Sequence, residues 1–319
     1  MGLTVSSRVA TAGLVGLVAL DVVLVGMALR STQSSGIDAS PVSRATATTD
    51  VSARPSPTSS TPSVGPSTTA TKAATAAPAA PLQTLLVALD NQRAWRVGVG
   101  SCAAGGATLA TTTDGGRTWA DAKAPLRTIV RMRPTDSQAA FVVGADSSCA
   151  AELKTTSDGG GTWGSTSDVG SAWFRDPQNP GVLGAPGSST SRPCDERSVL
   201  DLTVLSTGSA RVLCADGLVR STTDTGSSWT DSGRVTGAVA LAVAPSNLAQ
   251  TYVARLDAPD CEGVQIVRVD QNVAISCIKT AVPKDPGQIA LSLVSGGGWL
   301  AVSDTTMRST DELVTWSAS

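Results

Sequence analysis

From residue 82 onward the chain is a series of short apolar or alternating runs separated by Gly, Pro, Asp and Ser. TLLVAL (84–89), AWRVGVG (94–100) and ATLATTT (107–113) are followed by TIVRM (128–132), AAFVVGA (139–145) and AELKTT (151–156). After a Pro- and Gly-rich stretch the pattern resumes with VLDLTVL (199–205), ARVLCAD (210–216) and LVRSTT (218–223). VALAVAPSNLAQTYVARL (239–256) and VQIVRVD (264–270) come next, then IALSLV (289–294), GWLAVSD (298–304) and MRST (307–310). Short β-rich runs with turn residues at every break predict an all-β domain over 82–319.

One motif punctuates these runs. Thr112-Thr113-Asp114-Gly115-Gly116-Arg117-Thr118-Trp119 recurs as Thr156-Ser157-Asp158-Gly159-Gly160-Gly161-Thr162-Trp163 and as Thr222-Thr223-Asp224-Thr225-Gly226-Ser227-Ser228-Trp229. A fourth copy, Ser309-Thr310-Asp311-Glu312-Leu313-Val314-Thr315-Trp316, lacks the glycine. The residue types suit a turn. A carboxylate and a hydroxyl exchange hydrogen bonds with turn backbone, Gly supplies positive φ, and Trp opens the next strand as an apolar plug. Successive aspartates stand 44, 66 and 87 residues apart, near one, one and a half and two units of a single repeat. That period divides residues 82–319 into five or six units.

The copies resemble the Asp box, or BNR repeat, of sialidase-like β-propellers, found also in sortilin-type ectodomains, xyloglucanases and photosystem II assembly-factor propellers. The resemblance implies a five- or six-bladed β-propeller in which Asp114, Gly116, Trp119, Asp158, Gly160, Trp163, Asp224, Gly226, Trp229, Asp311 and Trp316 are structural turn residues. DPQNPGVLGAP and APSNLAQTYVA look like the turn between first and second strands in that family. Segment 171–198 reads either as a blade of its own or as an insertion.

Upstream the pattern changes twice. Residues 9–29 are 21 largely apolar residues with one charge, Asp21, flanked by Arg8 and Arg30. As a helix they would span roughly 31 Å, close to a bilayer core. A cleaved signal peptide is the competing reading, but the run is long for one and no clear A-x-A site follows. Residues 30–81 are almost entirely Ser, Thr, Ala and Pro, too poor in apolar mass to fold. The expected organisation is a short cytoplasmic tail (1–8), a transmembrane signal anchor (9–29), a disordered linker (30–81) and an extracytoplasmic propeller (82–319). The composition has a bacterial look. The membrane is thus one expected partner and the cell membrane the expected location, single-pass, with the propeller outside.

Composition then narrows the chemistry. None of the 319 residues is histidine, which excludes Ser-His-Asp and Cys-His catalysis and histidine metal sites. A net charge of −2 gives no basic footprint for nucleic acid. Six cysteines, Cys102, Cys149, Cys194, Cys214, Cys261 and Cys277, all lie past residue 81, where an even count suggests disulfides in an oxidising compartment. Cys102, Cys149, Cys194 and Cys261 are placed in equivalent loops after second strands. Cys102 with Cys149, Cys261 with Cys277 and Cys194 with Cys214 is the favoured set among fifteen connectivities.

Catalytic parts are hard to find. The sialidase resemblance would require an arginine triad, a Tyr nucleophile and its Glu. Tyr252 is the single tyrosine, in a strand-like run, and Glu152, Glu196, Glu262 and Glu312 have no family-like context. Asp90, Asp176 and Asp201 are available acids for carboxylate-pair hydrolysis. No metal or other cofactor is expected, since the TDGG turns hold too few acids for calcium and the glycine runs no phosphate loop. What remains is a binding surface. Arg127, Arg131, Arg133 and Arg175 fall in innermost-strand positions, and Arg131, Arg133 and Arg175 with Trp173 would form an anion- or sugar-binding mouth. The expected function is a non-catalytic binding or scaffold module for a cell-surface glycan or membrane-protein partner; the alternative is a divergent cell-surface glycoside hydrolase.

Overall fold

The computed structural model describes residues 82–319 apart from Ser188. The predicted tail, span and linker lie outside the described residues, and no helix among the described residues is long and apolar enough to cross a membrane. The domain is a six-bladed β-propeller, with 22 strands among the described residues. Blade 1 holds β1 (Thr84–Ala88), β2 (Ala94–Gly98), β3 (Thr108–Thr112) and β4 (Ala120–Ala122). Blade 2 holds β5 (Thr128–Pro134), β6 (Ala140–Ala145) and β7 (Ala151–Thr156), its fourth strand reduced to one bridge between Leu153 and Ser167. Blade 3 holds β8 (Phe174–Arg175), β9 (Leu183–Ala185) and β10 (Ser189–Ser191), so segment 171–198 builds a blade of its own.

Blade 4 follows with β11 (Val199–Val204), β12 (Ala210–Cys214), β13 (Leu218–Thr222) and β14 (Thr230–Arg234). Blade 5 has β15 (Ala238–Val243), β16 (Thr251–Arg255), β17 (Val264–Arg268) and β18 (Val273–Ile278). Blade 6 has β19 (Ile289–Val294), β20 (Gly297–Val302), β21 (Thr305–Ser309) and β22 (Ser317–Ala318). Every sheet is antiparallel and built from one contiguous stretch, so among the described residues no strand is exchanged between the first and last blades.

The ring closes by packing instead. Apolar side chains cluster between blades at every seam. At the closing seam Leu86 and Ala94 of blade 1 meet Ala290, Val294, Trp299 and Ala301 of blade 6. Hydrogen bonds cross it too, from Gln83 N to Gly287 O at 2.7 Å and from Trp299 Nε1 to Asp90 O at 2.9 Å. The seam between blades 2 and 3 has the smallest fully buried set, Val143, Ala172 and Phe174.

The four Ser/Thr-x-Asp turns share one hydrogen-bond scheme. In blade 2, Thr156 Oγ1 donates to Asp158 Oδ1 at 2.8 Å and accepts from Gly160 N at 3.0 Å. Asp158 then accepts from the backbone N and the hydroxyl of Thr162 at 2.9 and 2.6 Å. Blades 1, 4 and 6 repeat this around Asp114, Asp224 and Asp311. The backbone needs two successive positive φ values, supplied by Gly115 and Gly116, Gly159 and Gly160, and Thr225 and Gly226. In the fourth copy Glu312 and Leu313 adopt φ 59° and 72° without glycine, at a cost of order 1 kcal/mol or more each. Burial of Leu313 at 4% exposure offsets that strain.

The turns also join blades. Gly160 lies against Trp95, Gly226 against Trp173 and Gly116 against Trp299, each tryptophan belonging to the preceding blade. A Cβ at Gly226 would stand 3.1 Å from the Trp173 ring. The turn tryptophans reach backwards as well: Trp163 Nε1 donates to Lys123 O, Trp229 Nε1 to Ser191 Oγ and Trp316 Nε1 to Ser276 Oγ.

Hydrogen bonds from the Thr162 hydroxyl, then from its N–H and the Thr156 hydroxyl, hold the Asp158 carboxyl down at about 2. A depressed carboxyl stabilises the fold above its unfolded value and loses that contribution as pH falls through the folded one. Asp158→Ala is therefore expected to lower the denaturation midpoint at pH 7, with the gap to wild type narrowing between pH 4 and 2. Chemical denaturation across that range checks it; a gap that stays constant would remove the carboxylate from the turn's energetics.

Candidate functional site

The inner strands of the blades enclose a channel of about 430 Å³, opening at one end into a cleft of about 670 Å³. The end with the cleft carries the starts of the inner strands and the loops after second strands, with Thr84, Gly98, Ser101, Thr128, Asp176 and Asp304 on its wall. Both volumes lie in the range of small-ligand sites. The four Asp turns sit at the other end, beside the hairpins between first and second strands, as the bond from Gly115 N to Gln92 O shows.

Blade 3 makes the channel asymmetric. Trp173 Nε1 donates to Thr207 O at 2.8 Å, Arg175 to Leu200 O at 3.0 Å, and Val199 N to Pro180 O at 2.8 Å. Rising numbers along 173–180 thus meet falling numbers in blade 4, so β8 runs opposite to β11. Trp173 also repeats the setting of Trp299 in β20, a second strand. Both donate to the first hairpin of the next blade and both meet its turn tryptophan edge-on, Trp173 with Trp229 at 6.2 Å and Trp299 with Trp119 at 6.4 Å. β8 therefore occupies the place of a second strand, and among the described residues blade 3 has no first strand. The channel wall is thinned there, and Arg175 enters it directly, lining both channel and cleft.

Bulges aim the other charged groups. Register slips after Ile129 in β5 and after Val199 in β11. Such an extra residue re-aims the side chains that follow. Arg131 and Asp201 come next after the two slips and line the channel. Asp201 Oδ2 accepts from Leu241 N at 2.8 Å and Oδ1 from Leu202 N at 2.8 Å. Burial dominates its titration and raises its carboxyl to about 6, against the lowering effects of the Leu241 amide and the Arg175 charge.

The predicted site residues separate on this frame. Arg131, Arg133 and Arg175 do line the channel. Arg131 donates to Trp173 O, its guanidinium lies 5.2 Å from the Phe141 ring centroid, and burial, then the Arg133 charge, brings it down to about 10. Arg133 is exposed, whereas Arg175 is buried, and that burial lowers its pKa. Trp173, at 1% exposure, is locked between blades 3 and 4 and has no ring face for a sugar. Arg127 is also outside the channel: its guanidinium holds Cys102 O and Ala103 O at 2.9 and 2.6 Å. Asp90 is at the far hairpin, paired with Arg93 at 2.6 Å.

The cysteines divide into linked and unlinked. Cys194–Cys214 and Cys261–Cys277 are disulfides as expected, whereas the expected Cys102–Cys149 bond is not formed and both residues are thiols. Cys194 follows β10, the outermost strand of its blade, rather than a second strand, because blade 3 begins one strand late. The two disulfides fit an oxidising, extracytoplasmic location. No group of His, Cys, Asp or Glu that could hold a metal occurs among the described residues.

No protein-family model matches the chain, and no curated protein sequence matches it. Solved β-propellers are similar in structure. YCF48 bound to D1 peptide shares 17% identity over 75% of this chain and 81% of its own, with a TM-score of 0.29. The GH74 xyloglucanase from Xanthomonas campestris shares 14% over 74% of this chain and 37% of its own, TM-score 0.29. The Aleuria aurantia lectin in complex with Fucalpha1-6GlcNAc shares 12% over 74% and 94%, TM-score 0.49. None of these likenesses assigns a ligand to this chain.

A raised carboxyl works opposite to the depressed ones of the turns. Its stabilising effect is present below the unfolded value, about 3.9, and is lost as pH rises through the folded value near 6. Asp201→Asn is expected to gain stability relative to wild type as pH rises from 4 to 7, by roughly 2 kcal/mol after discounting for channel water. Guanidinium denaturation of both proteins at pH 4, 5.5 and 7 checks this; parallel curves would place Asp201 in ordinary solvent.

Proposed function

We propose that this chain is an extracytoplasmic binding propeller that takes an anionic group, such as the carboxylate of an acidic glycan or of a protein partner, into its channel. One observation carries the reading: among the described residues, the charged lining of the channel is Arg131, Arg133 and Arg175 against the single carboxylate of Asp201. Guanidinium groups in a partly desolvated cavity attract and fork onto carboxylates. Arg131 and Arg175 are already engaged with backbone carbonyls and act as a fixed positive field. Arg133, exposed at the wall, is the arginine free to contact a ligand.

The alternative, a divergent glycoside hydrolase, needs two carboxylates facing each other across the substrate. Asp201 is the one acid on the channel wall among the described residues, and both its oxygens accept backbone N–H groups. Asp176, at the cleft, uses Oδ1 to hold the N–H groups of Gln178 and Asn179 in its own turn. These arrangements support binding over bond cleavage. The reading includes the membrane as a partner through residues 9–29, with 30–81 as the tether.

An acidic-glycan and carboxylate-ligand array probed with the full-length chain tests it. The expected result is binding that weakens with salt and falls at least tenfold in Arg133→Glu, with thermal stability unchanged. Binding of neutral sugars alone, or binding indifferent to Arg133→Glu, would contradict the anionic channel.

A further inference from the structure

Cys102 and Cys149 play no part in the channel, yet their setting is specific. Each lies in the loop after the second strand of its blade, Cys102 after β2 and Cys149 after β6, in equivalent loops of the neighbouring blades 1 and 2. The two thiols are neighbours, Cys149 standing close enough to Cys102 to act on its titration. Cys102 is buried and Cys149 half-buried. Neighbouring groups fix both loops. Arg127 clamps Cys102 O and Ala103 O. Cys149 is held at φ 60° with its N–H on Asp146 O at 3.1 Å, and its carbonyl accepts from Gln178 Nε2 at 3.1 Å.

The same loops form the rim of the cleft. Ser101, next to Cys102, and Asp176 and Pro177, next to Gln178, stand on its wall. The two disulfides already present join blade 3 to blade 4 and close blade 5 on itself, so neither crosses the seam between blades 1 and 2. That seam depends on Leu126, Ile129 and Met132 packing on Trp95, Val97 and Leu109.

We propose that Cys102 and Cys149 form a redox latch, closing to a third disulfide that ties blade 1 to blade 2 and fixes the cleft rim. The proposal does not depend on which ligand enters the channel. The oxidant is a disulfide of the extracytoplasmic compartment, acting by thiol–disulfide exchange. Cys149, the more accessible thiol, loses its proton and attacks the oxidant, releasing one reduced thiolate and forming a mixed disulfide. Cys102 then loses its proton and attacks Cys149 Sγ, expelling the second thiolate. One S–S bond is made and one broken; the cysteines lose two electrons and two protons, and the oxidant is reduced to two thiols. Burial, followed by the neighbouring Cys149, pushes the Cys102 thiol up to about 11, which suits it to the second, intramolecular step rather than the first.

Oxidised glutathione is the probe. The full-length chain is equilibrated with it, alkylated in denaturant and mapped by peptide mass spectrometry. Cys102 and Cys149 peptides are expected joined and unalkylated, both becoming alkylated after reduction. Cys102→Ser is expected to trap glutathione on Cys149, and Cys149→Ser to leave Cys102 a free thiol. Under oxidising conditions the double variant C102S/C149S should melt roughly 5–15 °C below wild type, a gap that closes when this pair alone is reduced. Alkylation of both cysteines after oxidation, stable glutathione on Cys149 in the wild type, or equal melting of oxidised wild type and double variant would overturn the latch.

Discussion

The contact on which this propeller depends is a tryptophan of one blade lying beneath the glycine of the next blade's Asp turn. Trp95, Trp173 and Trp299 each fill that position, against Gly160, Gly226 and Gly116. A Cβ would stand 3.1 Å from the ring at Gly116 and Gly226 and 3.4 Å at Gly160, all at positive φ, so a side chain there is crowded or strained, and a smaller residue in place of the tryptophan would leave a cavity between sheets. Burying an indole is among the largest single apolar gains a fold can make. The polar edge is satisfied too, since Trp173 and Trp299 donate to hairpin carbonyls of the following blade. Each such contact registers two sheets against each other at three of the six seams, aliphatic clusters and Phe174 pack the other three, and among the described residues the ring closes without exchanging a strand. The seam between blades 6 and 1 is held in this way by Trp299, Trp119 and Gly116.

Much of this arrangement is legible in the sequence. The strand runs and the four turn motifs give the all-β class and the repeat, and the 44-residue spacing limits the blade number to five or six. Blade 3 settles it at six, and it is also where reading fails. Its strands have two or three residues, too short for a periodic pattern to register, and its turn carries no Asp motif. Trp173 therefore looks free to serve a ligand. The missed signal is local: Ala172-Trp173-Phe174-Arg175 echoes Ala94-Trp95-Arg96 at the second strand of blade 1. The pairing of Ile129 with Val130 and of Val199 with Leu200 likewise breaks strict alternation, which marks the bulges that turn Arg131 and Asp201 into the channel.

The channel's electrostatics follow from the missing first strand. An inner strand in blade 3 would cover β8 and carry its own side chains to the axis. Without one, Arg175 extends from a second-strand position to the Leu200 carbonyl and lies beside Asp201. Desolvation outweighs that attraction, so the carboxyl titrates near 6 and the three arginines set the sign of the cavity. The asymmetry that makes blade 3 hard to read is thus what gives the channel its charge.

Hydrogen exchange at the tryptophan indoles, followed by NMR, tests the closed ring most directly. If inter-blade packing holds the molecule as one unit, the Nε1 protons of Trp173 and Trp299 exchange as slowly as the amides of β15 in blade 5, through global unfolding alone. Exchange of Trp299 within minutes while those amides stay protected would mean that the seam between blades 6 and 1 opens on its own, and would contradict this account of closure.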